Sequence, residues 1–349
     1  MNMKKITVVL PLYELSSDIK RAVLSVKRQS IFDDTELKII DLRKYKAPKN
    51  FDKNKNGNIP PYVTTDKKAV KSKDIAAYLD DVGFDFEIIS DAKKMPYQLF
   101  NEAIKGVCGE YLLFLGQNCV LTKDILEILY NRAVDKNADV LIGNSAKQKG
   151  KRIEKSQTTD SLFNNDEIAN FDCEPSLIVD DPSIYNKFIK SQIIKSSGTA
   201  FAKYNAPKNI EFLAKIFINS HNIFAINREI YLCDFKRFYE YAYKRNDNYW
   251  IAYADSLLST IKAFEFSDDD EFLTQIIVKY TEPLFKTAQK SLNNDLRAKC
   301  VEIYKVLSSF DVQVKAVNAL AAKYPISNHK NYKKFRVFLS KTKRKLTNF

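Results

Sequence analysis

The segment Gly109–Leu121, GEYLLFLGQNCVL, ends an apolar run with residues whose position could support chemistry. Tyr111–Leu115 is continuously apolar, and Gly116, Gln117 and Asn118 follow it directly. In an open α/β sheet, ligands bind beyond the carboxyl ends of the strands, where carboxylates commonly hold a metal or a phosphate group. This strand end offers a glycine and two neutral amides. Because hard divalent cations prefer charged oxygen ligands, the sequence predicts no Mn²⁺ or Mg²⁺ site here, and no cofactor is expected.

The chain has few histidine and cysteine residues that could serve in catalysis or metal binding. There are two histidines and five cysteines, and the cysteines are scattered without CxxC spacing. This pattern predicts reduced structural thiols and no zinc site. The five cysteines are Cys108, Cys119, Cys173, Cys233 and Cys300.

Alternating apolar patterns in the N-terminal half predict the elements that position these residues. Ile6–Leu10 is a continuous, β-branched run typical of a strand buried on both faces, and Ile19, Val23 and Val26 follow at helical spacing. Further strands are predicted at Leu37–Ile40, Phe84–Ile89 and Val140–Ile142, with helices from Tyr97 and from Thr122. Repeated βα units of this kind predict an α/β fold with a mostly parallel sheet and flanking helices.

Changes in composition predict how the chain is divided. An α/β domain is predicted over residues 1–235, with a Lys- and Asn-rich insert at 43–75 that we expect to be a mobile surface loop. Residues 236–326 carry successive amphipathic patterns, which predict an all-helical C-terminal extension. Residues 327–349 are predicted to form a basic amphipathic tail.

The net charge of +13 indicates an anionic partner. Residues 330–349 hold eight Lys or Arg and no acid, with apolar side chains at helical spacing. Such a segment can lie on an anionic membrane surface, and a solvated tail explains it equally well. No recognition motif accompanies the charge, so nucleic-acid binding is not predicted. Lacking an 18-residue apolar run and a signal peptide, the protein is expected in the cytoplasm, peripheral at the inner membrane face if the tail binds there.

Several motifs, taken in order, resemble family 2 glycosyltransferases. KKITVVLPLYELSSDIKRAVLSVKRQS is similar to the opening strand, Pro-x-Tyr turn and helix of that family, and ELKIIDLR to its second strand. LFNEAIKGVCGEYLLFL looks like its Asn-containing helix and central strand, and DDPSIYNKFIKSQIIKSSGTAF like the segment that supports the acceptor. The resemblance covers residues 3 to 235. It implies a Rossmann-like GT-A fold, a nucleotide-sugar site at the strand ends, and hexosyl transfer that is usually inverting.

The resemblance also implies which residues bind the donor nucleotide. Pro11, Tyr13, Glu14, Asp41 and Asn101 match positions at the nucleotide-binding end of the family. Structural roles remain open beside this interpretation, because Pro11 can end a strand, Tyr13 can be a core residue and Asp41 can cap a turn.

Both carboxylate centres of the family are missing at the matching positions. The Asp-x-Asp motif, which holds Mn²⁺ or Mg²⁺ against the donor diphosphate, corresponds to Gly116, Gln117 and Asn118. The Glu-Asp pair that supplies the catalytic base corresponds to Lys208 and Asn209. The sequence therefore predicts degenerate metal and base positions.

Other residues could take over these two roles. Glu211 lies two residues beyond the degenerate base position, and Asp180 and Asp181 open the acceptor-like segment, just before its Asn186-Lys187 match. The aspartates could act as the base, although they could also cap the following segment. Cations that follow the second strand could neutralise the leaving group in place of a metal: Arg43, Lys44 and Lys46.

Two hypotheses from different classes follow. In the first, the chain is a divergent glycosyltransferase that uses a nucleotide-sugar to build a cell-surface glycan or teichoic-type polymer. In the second, it is a catalytically inactive pseudo-glycosyltransferase that acts as a binding or scaffold partner of an active enzyme, or self-associates, through its C-terminal helices. The loss of both carboxylate centres favours the second hypothesis for mechanism, while the fold is common to both.

Overall fold

The computed structural model describes residues 4–43, 75–149, 152–155, 169–170, 183–202, 210–233, 247–264, 270–307 and 322–323. The chain divides into two compact units, residues 1–53 with 59–243 and residues 244–349 with 54–58, each described by itself below. Within the described ranges, no helix is both long and apolar enough to cross a bilayer. Most of the basic insert, the whole basic tail and both predicted domain boundaries lie outside the described residues, so those divisions stay predictions.

The first unit is built on a ten-stranded mixed sheet. Its strands are β1 (Lys4–Leu12), β2 (Thr35–Asp41), β3 (Glu87–Ile89), β4 (Gly109–Phe114), β5 (Cys119–Leu121), β6 (Val140–Lys149), β7 (Arg152–Lys155), β8 (Ala169–Asn170), β9 (Lys187–Lys190) and β10 (Ile223–Cys233). Along the sheet the order is β3-β2-β1-β4-β9-β6-β10-β5, with β7 beside β6 and β8 beside β10. Strands β1 to β4 are parallel in their pairings, as are β6 and β10.

Strand β9 runs antiparallel to both of its neighbours, β4 and β6. Its first residue therefore lies at the edge of the sheet where β4 ends. This placement matters for the site, because the segment that leads into β9 reaches the sheet from that edge.

Helices flank the sheet: α1 (Ser17–Lys27), α2 (Ile75–Leu79), α3 (Pro96–Lys105), α4 (Ile125–Asp135), α5 (Ser191–Ser197) and α6 (Ile210–Ile218), with single 3₁₀ turns at Phe32–Asp34 and Asp80–Val82. The apolar spacing predicted for the first helix is observed, since Ile19, Val23 and Val26 are fully buried on one face of α1. They pack in one core cluster with Val8 and Leu10 of β1. The α/β class with a central sheet and flanking helices is confirmed.

The prediction of reduced thiols is wrong for two of the five cysteines. Cys119 of β5 and Cys233 of β10 are register partners in an antiparallel pair, their Cα atoms lie 4.2 Å apart, and their sulfurs are bonded. Their separation of 114 positions conceals this proximity in the sequence. Cys108 and Cys300 are free, and burial raises the pKa of the Cys300 thiol to about 12.

In the described part of the second unit, three helices pack on one another: α7 (Asp247–Phe264), α8 (Asp270–Lys290) and α9 (Asn294–Leu307). The Tyr253 hydroxyl donates to the Tyr280 carbonyl at 2.9 Å and links α7 to α8. Lys299 of α9 lies 2.9 Å from Asp255 of α7. Helices in the C-terminal region are thereby confirmed.

Candidate functional site

The carboxyl ends of β1, β2 and β4 meet at one edge of the sheet. Leu12 lies opposite Asp41 in the β1–β2 register, and the Leu42 N–H donates to Leu12 O at 2.9 Å. The Leu115 N–H donates to Val9 O at 2.9 Å and holds the end of β4 beside β1. We call this the carboxyl edge, formed by residues 12–16, 41–43 and 115–118.

Gly116–Cys119 is a tight turn in which the Cys119 N–H donates to Gly116 O at 2.9 Å. A Cβ added to Gly116 would lie 2.9 Å from Cys119 Sγ, closer than real Cβ atoms approach a neighbouring atom. That sulfur is held by its bond to Cys233. The first position of the Asp-x-Asp match therefore accommodates a side chain only if the disulfide or the turn moves.

Gln117 spans the carboxyl edge and binds the loop between β1 and α1. Its Oε1 accepts hydrogen bonds from the Tyr13 N–H at 2.7 Å and the Glu14 N–H at 3.2 Å. Its Nε2 donates to Glu14 O at 2.8 Å and to Ser16 Oγ at 3.3 Å. The side chain is buried. Gln117 is thus a connector between two loops, a role that the sequence analysis missed.

Tyr13 is fixed at its hydroxyl as well as at its backbone. Its side chain hydrogen-bonds with Tyr185, two residues before β9. Burial raises the pKa of Tyr185, and the hydrogen bond with Tyr13 offsets only part of that effect. The nucleotide residue predicted at Tyr13 and the segment that precedes β9 are therefore in direct contact.

Two further predicted nucleotide residues lie beside Tyr13. Pro11 is buried within β1, opposite Ile40 of β2, so it does not end the strand. Glu14 is half-buried in the loop that Gln117 binds. Together with Tyr13 and Asp41 they lie at or next to the carboxyl edge.

Asp41 is paired with Arg43, two residues further along the chain. Arg43 Nε donates to Oδ1 at 2.9 Å, and Nη2 donates to Oδ2 at 3.1 Å. The Arg43 N–H adds a third hydrogen bond, to Oδ1 at 3.1 Å. The carboxylate is almost fully buried, and the predicted nucleotide contact therefore carries its own counter-charge.

Asn101 joins α3 to the segment after α5. Its Nδ2 donates to Phe201 O at 3.0 Å, and its Oδ1 accepts from the Phe201 N–H at 2.7 Å. Both polar groups of the amide are thereby used on the backbone of one residue. This contact gives Asn101 a structural role, and nucleotide binding by Asn101 stays a prediction.

The candidate carboxylates for the base role differ in what surrounds them. Glu211 lies in the first turn of α6, is buried, and pairs with Lys215 at 2.9 Å. Asp180 and Asp181, like the degenerate base positions Lys208 and Asn209, lie outside the described residues. The chain that follows the two aspartates enters β9 at the end of β4.

A buried lysine marks this entry into β9. Lys187, the first residue of β9, is fully buried, and its Nζ donates to Asn186 Oδ1 at 2.7 Å. Asn186 in turn holds Gly143 of β6, with Nδ2 donating to the Gly143 carbonyl at 3.1 Å. A buried lysine amine therefore lies within the segment that resembles the acceptor support, where β4 ends.

The donor set at the carboxyl edge does not fit the metal that the resemblance implies. Gly116 has no side chain, the Gln117 amide is engaged with the β1 loop, and Asn118 supplies one neutral oxygen. Asp41 is occupied by Arg43. Among the described residues, no three His, Cys, Asp or Glu side chains are grouped so that they could hold a metal ion.

Comparisons with known proteins give related chains at low identity. No family model matches the sequence. The chain is 24% identical over 328 residues to the poly(ribitol-phosphate) β-N-acetylglucosaminyltransferase TarP of Staphylococcus aureus, covering 92% of each chain. The crystal structure of residues 1–349 of S. aureus TarS matches with a TM-score of 0.61 at 14% identity, covering 91% of this chain and 83% of TarS 1–349.

A second TarS structure, in complex with UDP-GlcNAc, matches with a TM-score of 0.60 at 15% identity and the same coverage. These matches extend over both the sheet and the helical part, so they concern the chain as a whole. The mixed sheet, its flanking helices and the likeness to TarP agree with the fold that the motifs predicted. The chain is a GT-A-fold, glycosyltransferase-like protein homologous to TarP.

Proposed function

We propose that this protein is a divergent glycosyltransferase of cell-wall polymer assembly that uses a nucleotide-sugar donor without the usual Asp-x-Asp metal site. The observation that carries the proposal is its relation to TarP, which runs through 92% of both chains. The carboxyl edge adds support, because it brings Tyr13, Asp41 and Gln117 together at the strand ends, where a nucleotide-sugar would bind.

A UDP-linked N-acetylhexosamine is the donor that we propose. TarP is an N-acetylglucosaminyltransferase, and TarS has been crystallised with UDP-GlcNAc. The acceptor that we propose is a polyol-phosphate polymer, since TarP acts on poly(ribitol-phosphate). A chain with a net charge of +13 suits such a polyanion.

The residues of this chain would divide the chemistry as follows. Arg43 lies at the end of β2 beside the carboxylate of Asp41, and a cation at this edge can stabilise charge on the departing nucleotide. Asp180 or Asp181 would accept the proton of the acceptor hydroxyl, because the chain that follows them enters β9 at the end of β4. Glu211 is the weaker candidate, since it is buried and paired with Lys215.

The alternative is a pseudo-glycosyltransferase that serves as a scaffold for an active partner or for a second copy. Two observations favour it. Gly116 leaves no room for a metal-binding carboxylate, and Gln117 is committed to the β1 loop. A chain of this kind would bind a nucleotide or a polymer without transferring sugar.

A transfer assay separates the two functions. The protein is incubated with UDP-GlcNAc and poly(ribitol phosphate), in EDTA and in Mn²⁺, and UDP release and polymer mass are followed. We expect transfer in EDTA, and a loss of at least 100-fold in either Asp180→Asn or Asp181→Asn. A comparable loss in Glu211→Gln, and in neither aspartate variant, would assign the base role to Glu211. If the protein binds nucleotides but transfers no sugar to the polymer from UDP-, GDP- or CDP-sugars, the scaffold function is favoured.

We also propose that residues 330–349 bring the protein to the inner face of the membrane. Support comes from eight Lys or Arg without an acid, at about 1 kcal/mol for each cation near an anionic surface. Co-sedimentation with phosphatidylglycerol vesicles tests this, with neutral phosphatidylcholine vesicles as the control. Equal recovery on both vesicle types, or recovery unchanged after deletion of residues 330–349, would contradict it.

A further inference from the structure

We propose that Gln117 is a positioning residue for the donor nucleotide and acts through Tyr13. The proposal rests on the proposed function, because it concerns the same nucleotide-binding edge. In it, the middle position of the degenerate Asp-x-Asp turn does not contact a metal. It fixes the loop that follows β1, so that the turn after β4 and the loop after β1 behave as one rigid unit.

The hydrogen bonds of Gln117 match the capacity of a carboxamide. Such a group has two N–H donors and two acceptor lone pairs. Here Oε1 accepts from the Tyr13 and Glu14 N–H groups, and Nε2 donates to Glu14 O and Ser16 Oγ. A carboxylate cannot donate to the Glu14 carbonyl, and Asn is one methylene shorter. Glutamine is therefore the residue type that satisfies this loop.

In the loop after β1, Ser16 binds Gln117 and does not cap helix α1. Ser16 is the N-cap residue of α1, where a serine oxygen normally accepts from a helical N–H. Here its side chain makes no such cap and accepts from Gln117 Nε2 at 3.3 Å. The contact thus replaces local capping by a link between residues 101 positions apart.

The link controls Tyr13 at both ends. Gln117 holds its backbone N–H at 2.7 Å, and Tyr185 holds its hydroxyl. The aromatic ring between these two anchors is the surface against which we propose that the nucleobase lies. Removal of the Gln117 amide would free the backbone anchor and leave two consecutive N–H groups without this acceptor.

Gln29 provides a matched control within the same unit. It is also a buried glutamine, and its amide donates to Ser25 O at 3.0 Å and Thr122 O at 2.9 Å while accepting from the Leu126 N–H at 3.1 Å. It joins α1 to α4 and makes none of these contacts with residues 13–16. Gln29→Ala therefore removes a comparable set of buried hydrogen bonds without releasing Tyr13.

The test measures UDP and UDP-GlcNAc affinity by calorimetry for the full chain, well below the unfolding midpoint of each variant. We expect Gln117→Ala to weaken binding at least tenfold, whereas Gln29→Ala should bind within twofold of wild type. In the transfer assay, Gln117→Ala should raise the KM for UDP-GlcNAc and change kcat less than threefold. Gln117→Glu keeps an oxygen that can accept from the Tyr13 and Glu14 N–H groups but cannot donate to Glu14 O when ionised, so its affinity at pH 7.5 should fall between those of wild type and Gln117→Ala.

Two outcomes would overturn the inference alone: unchanged affinity in Gln117→Ala, or an equal loss in Gln117→Ala and Gln29→Ala. If titration of wild type with UDP, GDP and CDP gives no more heat than titration into buffer, the proposed function and this inference are overturned together. The wild-type titration therefore distinguishes the two failures.

Discussion

Asp41 and Arg43 form a two-pronged ion pair at the end of β2, with Nε 2.9 Å from Oδ1 and Nη2 3.1 Å from Oδ2. The resemblance predicted Asp41 as a nucleotide contact, and Arg43 is one of the cations expected to be able to neutralise the leaving group. The pair makes this corner of the carboxyl edge electrically balanced. A nucleotide-sugar donor bound at this edge, as we propose, would meet an arginine already oriented by a buried carboxylate.

Arg43→Ala should destabilise the fold by about 3 kcal/mol, because it leaves the buried Asp41 carboxylate without its main partner. Asp41→Asn/Arg43→Ala should recover much of that loss, since no charge remains to be buried. Equilibrium urea unfolding of the two single variants and the double variant measures the coupling. The exposed pair Lys5–Asp34 is the control, and Lys5→Ala should cost less than about 1 kcal/mol. Additive effects at Asp41 and Arg43 would argue against the pair as a coupled unit.

Gly116→Ala should destabilise the chain by about 1 to 3 kcal/mol, because the new Cβ would lie 2.9 Å from Cys119 Sγ. Gly106→Ala is the matched control, since a Cβ there meets its nearest atoms at an ordinary 3.5 Å. In a Cys119→Ala background the cost of Gly116→Ala should shrink by at least half. Thermal unfolding of wild type, the three single variants and the Gly116→Ala/Cys119→Ala double variant measures these differences. A cost that persists without the sulfur would point to the turn backbone and away from the disulfide.

Glu36 should give the protein an acid-sensitive component of stability. Burial opposes ionisation of Glu36, but hydrogen bonds from Thr7, Lys38 and the Cys108 N–H outweigh burial and lower its pKa below 4.5. A lowered folded pKa means that the contribution is present above the unfolded pKa and is lost as the pH falls through the folded pKa. We expect the stability difference between wild type and Glu36→Gln to be largest near pH 7 and to narrow steadily below pH 4.5.

Urea unfolding at several pH values between 3 and 7 measures how this stability difference depends on pH. Glu127→Gln is the control, because Glu127 accepts a hydrogen bond from Ser30 on the exposed surface. That variant should keep a nearly constant difference from wild type over the same range. A Glu36→Gln curve parallel to wild type would show that the network around Glu36 does not depend on its charge.

Phe188→Ala should destabilise the first unit by about 3 to 5 kcal/mol, as large-to-small changes in a packed core do. Phe188 is fully buried in β9 and stacks on Tyr111 of β4, with ring centroids 4.8 Å apart and planes 7° apart. Phe188→Leu keeps most of the volume and should cost much less. Chemical unfolding compares the two, and equal losses would mean that the aromatic stack itself, more than cavity formation, stabilises β9.

Residues close together along the chain were well predicted from the sequence. The β-branched run of β1 and the helical spacing of Ile19, Val23 and Val26 describe local periodicity, which hydrophobic burial enforces directly. Strands β5 and β9 were not predicted, whereas the three-residue β3 lies within the strand predicted at Phe84–Ile89. Four-residue β9 and three-residue β5 carry too few positions to show a period, and tertiary pairing fixes them.

The proximity of the candidate residues could be predicted from the sequence, and their individual contacts could not. The strand ends placed Tyr13, Asp41 and Gln117 at one edge, because the carboxyl ends of parallel strands converge. The hydrogen bond between Gln117 and Tyr13 and the disulfide between Cys119 and Cys233 each join residues more than 100 positions apart. Contacts at that separation follow from the strand register, which a single sequence does not specify.

The carboxyl edge has an evolutionary consequence. Segments 44–74 and 171–182 attach to the sheet through β2 and the entry to β9, at the edge that holds the candidate site. The register of β1, β2 and β4 depends on residues that lie elsewhere, within the strands themselves. Under the proposed function, insertions and substitutions in these segments would change which sugar or polymer is recognised without rebuilding the core. Such a division would allow the recognised polymer to change while the strand scaffold stays the same.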